Sequence, residues 1–236
     1  MLDLGKKYKW YSNGFFSSKV NEVYSFNFLF SLVAQLLLFS SLIPFLINKI
    51  EIGREKRIFV VFIAFSTVME ILGDSLAGHQ INNLGFAHVY YTAEFFFFFL
   101  ILFQFGTQYK RYWLIPFTLI GIYILVDNFI ITATTKFASN SASIQNLFLF
   151  IFSAKQIIKI TTNNFIPFYK DDRFYIVAGI FVYTGITALL FIIKDFNLIM
   201  FIYSISFLII NSMNFFFTYS MVLYYRQRKM LAEALK

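Results

Sequence analysis

The stretch Phe95-Phe96-Phe97-Phe98-Phe99-Leu100-Ile101-Leu102 is apolar at every position and shows no alternation. A membrane barrel strand would alternate polar and apolar residues over about ten positions. Backbone N–H and C=O groups cannot stay unpaired in hydrocarbon, so only helices and closed barrels cross a bilayer. The stretch therefore predicts a helix in lipid. Working outward, the apolar sequence widens to 84–106, close to the roughly 20 residues a bilayer core needs.

The whole chain supports the same solvent. Of its 236 residues, 59% are hydrophobic and 14% are charged, and 35 are phenylalanine. Soluble globular proteins carry about 45–50% apolar and about 25% charged residues. Mean hydropathy is +0.69. A soluble globule of this length keeps a large wet surface and could not hide that much apolar side chain.

Seven apolar stretches predict transmembrane helices at 24–47, 58–77, 84–106, 112–133, 144–162, 174–193 and 198–224. The expected fold class is thus all-α, a polytopic bundle of seven helices spanning 24–225. Residues 1–23 are polar and aromatic, with Lys6, Lys7, Lys9 and Lys19. They lack an apolar core followed by a small-residue cleavage site, so they read as an interfacial or extramembrane tail rather than a signal peptide. Residues 226–236 read as a basic cytoplasmic tail. The connections are short and leave no room for a second domain. Arg57-Ile58-Phe59 and Arg173-Phe174-Tyr175 look alike, as do Asn83-Leu84 and Asn197-Leu198. Hydrophobic helices resemble one another by chance, so no internal repeat is built into the reading.

Lysine and arginine placement sets the orientation. With seven crossings, one side collects Lys49, Arg54, Lys56, Arg57, Lys110, Arg111, Lys155, Lys159, Lys170, Arg173, Arg226, Arg228, Lys229 and Lys236. The other side collects only Lys6, Lys7, Lys9, Lys19, Lys136 and Lys194. The N-terminus is therefore expected outside and the C-terminus in the cytoplasm. The net charge of +8 points to a membrane surface. No zinc finger, RNP-type motif or long basic helix supports nucleic-acid binding.

Ionisable residues inside spans are the informative ones, because each costs roughly 2.5–3.5 kcal/mol at mid-bilayer. At 1.5 Å rise per residue, Glu70, Glu94 and Lys155 fall at similar depth, each roughly 15–18 Å from a membrane edge. That alignment predicts a buried charge cluster, with the ammonium countering a carboxylate. Lys155 has a second reading, a lysine that snorkels to the interface. Glu70 and Asp74 lie i, i+4 on one face. His88, Tyr91 and Glu94 step by three along another helix and cover one broad face. Asp127 and Asn128 lie near the outer end of the fourth span. Asn211, Asn214 and Thr218 line the inner half of the seventh. The phenylalanine run at 95–99 covers a whole helix circumference and reads as lipid contact.

Several chemistries are thereby disfavoured. Without cysteine there is no disulfide, thiolate zinc site or cysteine nucleophile. The chain has two histidines, and neither lies in the last span, unlike seven-helix metal hydrolases of the ceramidase and adiponectin-receptor type. No metal, no cofactor and no catalytic residue are expected. A retinal-type lysine in the last helix, an Asp-Arg-Tyr after the third and a Pro-Gln pair are all absent.

Asn83-Leu84, His88-Val89-Tyr90 and Glu94 at the start of the third span resemble an uncharacterised bacterial seven-helix membrane family with an Asn-x-Leu, His-x-Tyr, Glu pattern. The resemblance covers about a dozen residues and carries no activity. It implies a multi-pass protein of the bacterial cytoplasmic membrane, and it marks His88, Tyr90 and Glu94.

The leading functional expectation is a small-ligand or signal-sensing module. Asp74, His88, Tyr91, Glu94 and Asp127 would face an outward pocket, and Glu70 and Lys155 would form its floor. Its output would pass to a cytoplasmic or membrane protein partner. A proton-coupled small-molecule transporter using Glu70 or Glu94, with Asn211 and Asn214 at the inner end, is the alternative. An intramembrane lipid-modifying enzyme is a third class.

Overall fold

Long apolar runs with few glycines and prolines propagate as helix, since each added residue gains a hydrogen bond once a turn is nucleated. The computed structural model describes residues 33, 36–48, 52–78, 84–105, 110–131, 139–163, 167–193 and 199–234. Among them every regular element is helical. Helix α1 is Ile43–Ile47, with Pro44 in its first turn where a missing N–H costs nothing. Then come α2 (Arg54–Gly78), α3 (Leu84–Phe105) and α4 (Lys110–Val126), which runs on into a π-helical turn, Asp127–Ile131. Helix α5 (Ser139–Asn163) follows, then a 3-10 turn at Phe168–Lys170, α6 (Asp172–Ile193) and α7 (Ile199–Ala234). The expected tail at 1–23 lies outside the described residues.

Among the described residues, three helices carry stretches long and apolar enough to cross a membrane: Gly85–Phe105, Tyr112–Ile131 and Asp172–Leu190. Helix α2 carries charge at its start and in its second half. It opens on Arg54-Glu55-Lys56-Arg57 and carries Glu70 and Asp74 further along.

Successive helices alternate in direction. Lys56 at the start of α2 lies over the Phe105 ring at the end of α3. Asn128, just beyond α4, bonds Ser141 at the start of α5. Asp172, which opens α6, meets Ser220 late in α7. One end of the bundle thus gathers Lys56, Phe105, Asp172 and Tyr224, and the opposite end gathers Thr92, Asn128 and Ser141. The start of α6 is capped locally: Asp171 Oδ1 accepts the Arg173 backbone N–H at 3.0 Å.

Helix α3 is central, packed by α2, α4, α5 and α6. This overturns the reading of the phenylalanine run as lipid contact. Phe95, Phe98 and Phe99 are buried, and Phe96 and Phe97 pack half-buried against the same core. Phe99 stacks face to face on Phe117 of α4, centroids 3.6 Å apart, and on Phe152 of α5 at 5.5 Å. Phe98 meets Phe62 of α2 at 4.9 Å and Tyr183 of α6 at 5.8 Å. A helix apolar all round is one buried all round. Here protein, not lipid, supplies most of the surroundings.

Close approach of α6 to its neighbours needs two glycines. A Cβ on Gly185 would sit 2.7 Å from the Phe150 ring of α5, and one on Gly179 would sit 3.1 Å from Phe216 Cβ of α7. Phe150 cannot swing away freely, because it stacks on Phe181 at 4.5 Å. Gly185→Leu is therefore expected to destabilise the bundle by about 1–3 kcal/mol through overpacking. A thermal melt of the purified protein checks this, and an unchanged midpoint would mean that α5 and α6 separate easily.

Candidate functional site

Glu94 lies about 15 Å along α3 from Leu84 and is 2% exposed. Tyr183 Oη of α6 donates to its Oε2 at 3.1 Å. Tyr90, one turn back on the same helix face, donates to Oε1 at 3.5 Å, the outer limit of a hydrogen bond. The Tyr90 hydroxyl also lies 3.3 Å from Ser66 Oγ of α2. A polar chain thus runs Ser66–Tyr90–Glu94–Tyr183 across α2, α3 and α6. Its walls are aromatic: Phe65 stacks parallel to Tyr90 at 6.3 Å, and Tyr91 meets Tyr90 edge-on at 5.7 Å. Among the described residues no ion pair involves Glu94.

The opposite face of α3 carries a second polar cluster. Thr92 is two residues from Glu94, a rotation of about 200° around the helix. Its Oγ1 accepts from Asn128 Nδ2 at 2.9 Å, and Ser141 Oγ donates to Asn128 Oδ1 at 3.0 Å. Both faces of the Asn128 amide are therefore used. Asp127, Asn128, His88 and Gln145 are all buried. The π-helical turn carries Asp127 and Asn128 inward together, and such turns recur at functional sites.

The sequence-derived candidates are thus divided. Glu94 and Tyr91 lie on the α2–α6 side with Tyr90. Asp127 is held with Asn128 beyond α4, and His88 sits one turn from Thr92. Lys155 does not reach Glu94. It is exposed, and its ammonium lies 4.9 Å from the Trp113 ring centroid. The face of α5 that turns inward at this level carries Phe152, Gln156 and Ile160 instead. Asn214 is buried on α7. The side chains of Glu70, Asp74 and Asn211 lie outside the described residues.

Three groups were missed from sequence: Tyr183, Ser66 and the pair Lys56–Asp172. Tyr183 had a legible signal, a phenol in the middle of an apolar span, where its hydroxyl must find a partner. The pair had none, because both residues read as loop charges. Lys56 Nζ forms an ion pair with the Asp172 carboxylate, and the lysine side chain is 1% exposed. The ammonium lies 5.3 Å from both the Phe105 and Tyr224 ring centroids. Tyr224 Oη accepts from the Gly53 N–H at 2.9 Å and from Arg228 Nε at 3.0 Å. Burial pulls the Lys56 ammonium below its ordinary value, while the neighbouring Asp172 carboxylate pulls it back up.

Among the described residues no group of three or more His, Asp or Glu side chains is placed to hold a metal ion. Comparison with protein-family models, curated proteins and solved structures finds no match.

Proposed function

We propose that the chain is a multi-pass protein of the bacterial cytoplasmic membrane that senses a small ligand or signal at the Glu94 cluster. In this reading it crosses seven times, with its N-terminus outside and its C-terminus in the cytoplasm. The observation that carries it is a carboxylate buried in an apolar bundle and held by hydroxyls. An ionisable group at such depth is costly and marks a functional site by default. Tyr90, Tyr91 and Tyr183 surround it with groups that a ligand can both stack on and hydrogen-bond. Helix α3 touches four other helices, so a change at Glu94 has a direct mechanical route to the charged end.

The test is a thermal-shift screen in nanodiscs. Wild type, Glu94→Gln and Tyr183→Phe are compared with small amines, alcohols and a pH series as probes. At least one probe is expected to move the wild-type midpoint, to leave Glu94→Gln unmoved and to act more weakly on Tyr183→Phe. Probes that move all three proteins equally would sink the reading.

The Ser66–Tyr90–Glu94–Tyr183 chain favours one alternative, a proton-coupled carrier with Asn214 towards its inner end. Proton flux into dye-loaded liposomes that disappears in Glu94→Gln would select it.

Topology has its own check, because the chain contains no cysteine. Single substitutions Ser12→Cys and Ala232→Cys give clean labelling sites. A membrane-impermeant maleimide is expected to label Ser12→Cys in intact cells and Ala232→Cys only after permeabilisation. The reverse pattern would invert the orientation.

A further inference from the structure

An open groove of about 570 Å³ runs along the outer side of α6 and α7, lined by Tyr175, Phe215, Phe216, Thr218, Tyr219 and Val222. Phe215 and Tyr219 are about half exposed. On α7 the residues Phe215, Tyr219, Val222 and Arg226 recur at i, i+4, i+7 and i+11, a single helix stripe. The stripe that builds the groove therefore ends on a guanidinium, and Arg226 is exposed. Lys229 follows three residues later, also exposed. The other wall ends the same way. Tyr175 meets Tyr219 edge-on at 4.5 Å, and its hydroxyl donates to the Tyr169 carbonyl at 3.0 Å. Tyr169 is followed by the exposed Lys170, whose carbonyl accepts from Gln227 Nε2 at 2.8 Å. That bond brings the Lys170 backbone within reach of the residue next to Arg226. From Phe215 to Arg226 the helix rises about 16 Å. One leaflet of a bilayer core is about 15 Å deep.

We propose that this groove binds an anionic phospholipid of the cytoplasmic leaflet. An acyl chain lies along Phe215, Tyr219 and Val222, and the headgroup phosphate sits between Arg226 and Lys170. The inference rests on the membrane reading and on the cytoplasmic placement of the charged end. A second copy of the chain fits less well. A two-fold contact would bring each Arg226 and Lys170 towards their own like charges, whereas a phosphate neutralises them.

The experiment is native mass spectrometry of the full chain released from mixed vesicles of phosphatidylglycerol and phosphatidylcholine. Wild type is expected to retain phosphatidylglycerol preferentially, by about fivefold per cation at the headgroup. The double variant Lys170→Gln/Arg226→Gln is expected to lose the preference. Both residues are on the surface, so the fold, checked by circular dichroism, should persist. Val222→Trp, which fills the groove, is expected to reduce retention of both lipids. Equal retention by wild type, or a preference unchanged in the double variant, overturns the proposal. So does a dimer that Val222→Trp converts to monomer, which would assign the groove to a second copy. Alkaline carbonate extraction separates the two levels. Release from the membrane would overturn the membrane reading and the lipid site together. Retention without lipid selectivity would overturn the lipid site alone.

Discussion

Asp172→Asn is expected to destabilise the bundle by about 3–5 kcal/mol, because it leaves the Lys56 ammonium buried without its counter-charge. Lys56 has nowhere else to go. Its ammonium is covered by the rings of Phe105 and Tyr224, and its side chain is almost fully enclosed. The pair joins the first turns of α2 and α6, and Ser220 Oγ ties α7 to the same turn through the Asp172 carbonyl at 2.8 Å. Losing the carboxylate therefore removes the α2–α6 tie, while the α7 bond to the backbone carbonyl remains. Lys56→Met should cost a comparable amount, since it strands Asp172 instead. The double variant Lys56→Met/Asp172→Leu is expected to recover most of the loss, because buried ion pairs are often replaceable by apolar residues of similar volume. Reversible unfolding in mixed micelles measures all three. Single-variant losses below about 1 kcal/mol, the range of an exposed pair, would mean that water reaches the pair.

The second large effect is expected at Phe99. Phe99→Ala should cost about 3–5 kcal/mol, the usual range for a buried phenylalanine. The ring is 1% exposed and stacks on Phe117, Phe103 and Phe152. In lipid the loss is one of packing more than of water transfer, since the surrounding chains are themselves apolar. Leu100→Ala supplies the contrast. Leu100 is the neighbour that turns outward, and its truncation should cost well under half as much. Equal and small losses at both positions would return the run to lipid contact.

How far the sequence could be read depends on which coordinate is asked for. Helical class is local, and it was legible. Unalternating runs such as Phe95–Leu102 exclude strands. A rise of 1.5 Å per residue put Glu94 mid-helix before any packing was known. The lysine and arginine tally likewise marked the end where Lys56, Lys170, Arg173 and Arg228 gather. Angular position was only half legible. The 100° step per residue already sets Thr92 opposite Glu94, but it cannot say which helix meets each face. Lys155 shows the consequence. Counting from the expected span edges set it level with Glu94. Yet Phe95 meets Phe148 and Phe99 meets Phe152, so Lys155 lies roughly 12 Å nearer the charged end. It sits on the exposed side of α5, over Trp113.

By itself, then, the sequence determined that the chain is helical, that its solvent is largely apolar, and that Glu94 is an expensive residue in need of partners. Hydropathy and periodicity follow from local chemistry, so they survive without a fold. Only the tertiary structure decided that Tyr183 and Tyr90 are those partners, and that Thr92, Asn128 and Ser141 form a separate cluster behind α3. It also decided that the phenylalanines face protein, and that two charges read as loop residues are buried together. Those outcomes depend on contacts between residues far apart in the chain, such as Lys56 and Asp172. No local pattern encodes which helix will be the neighbour.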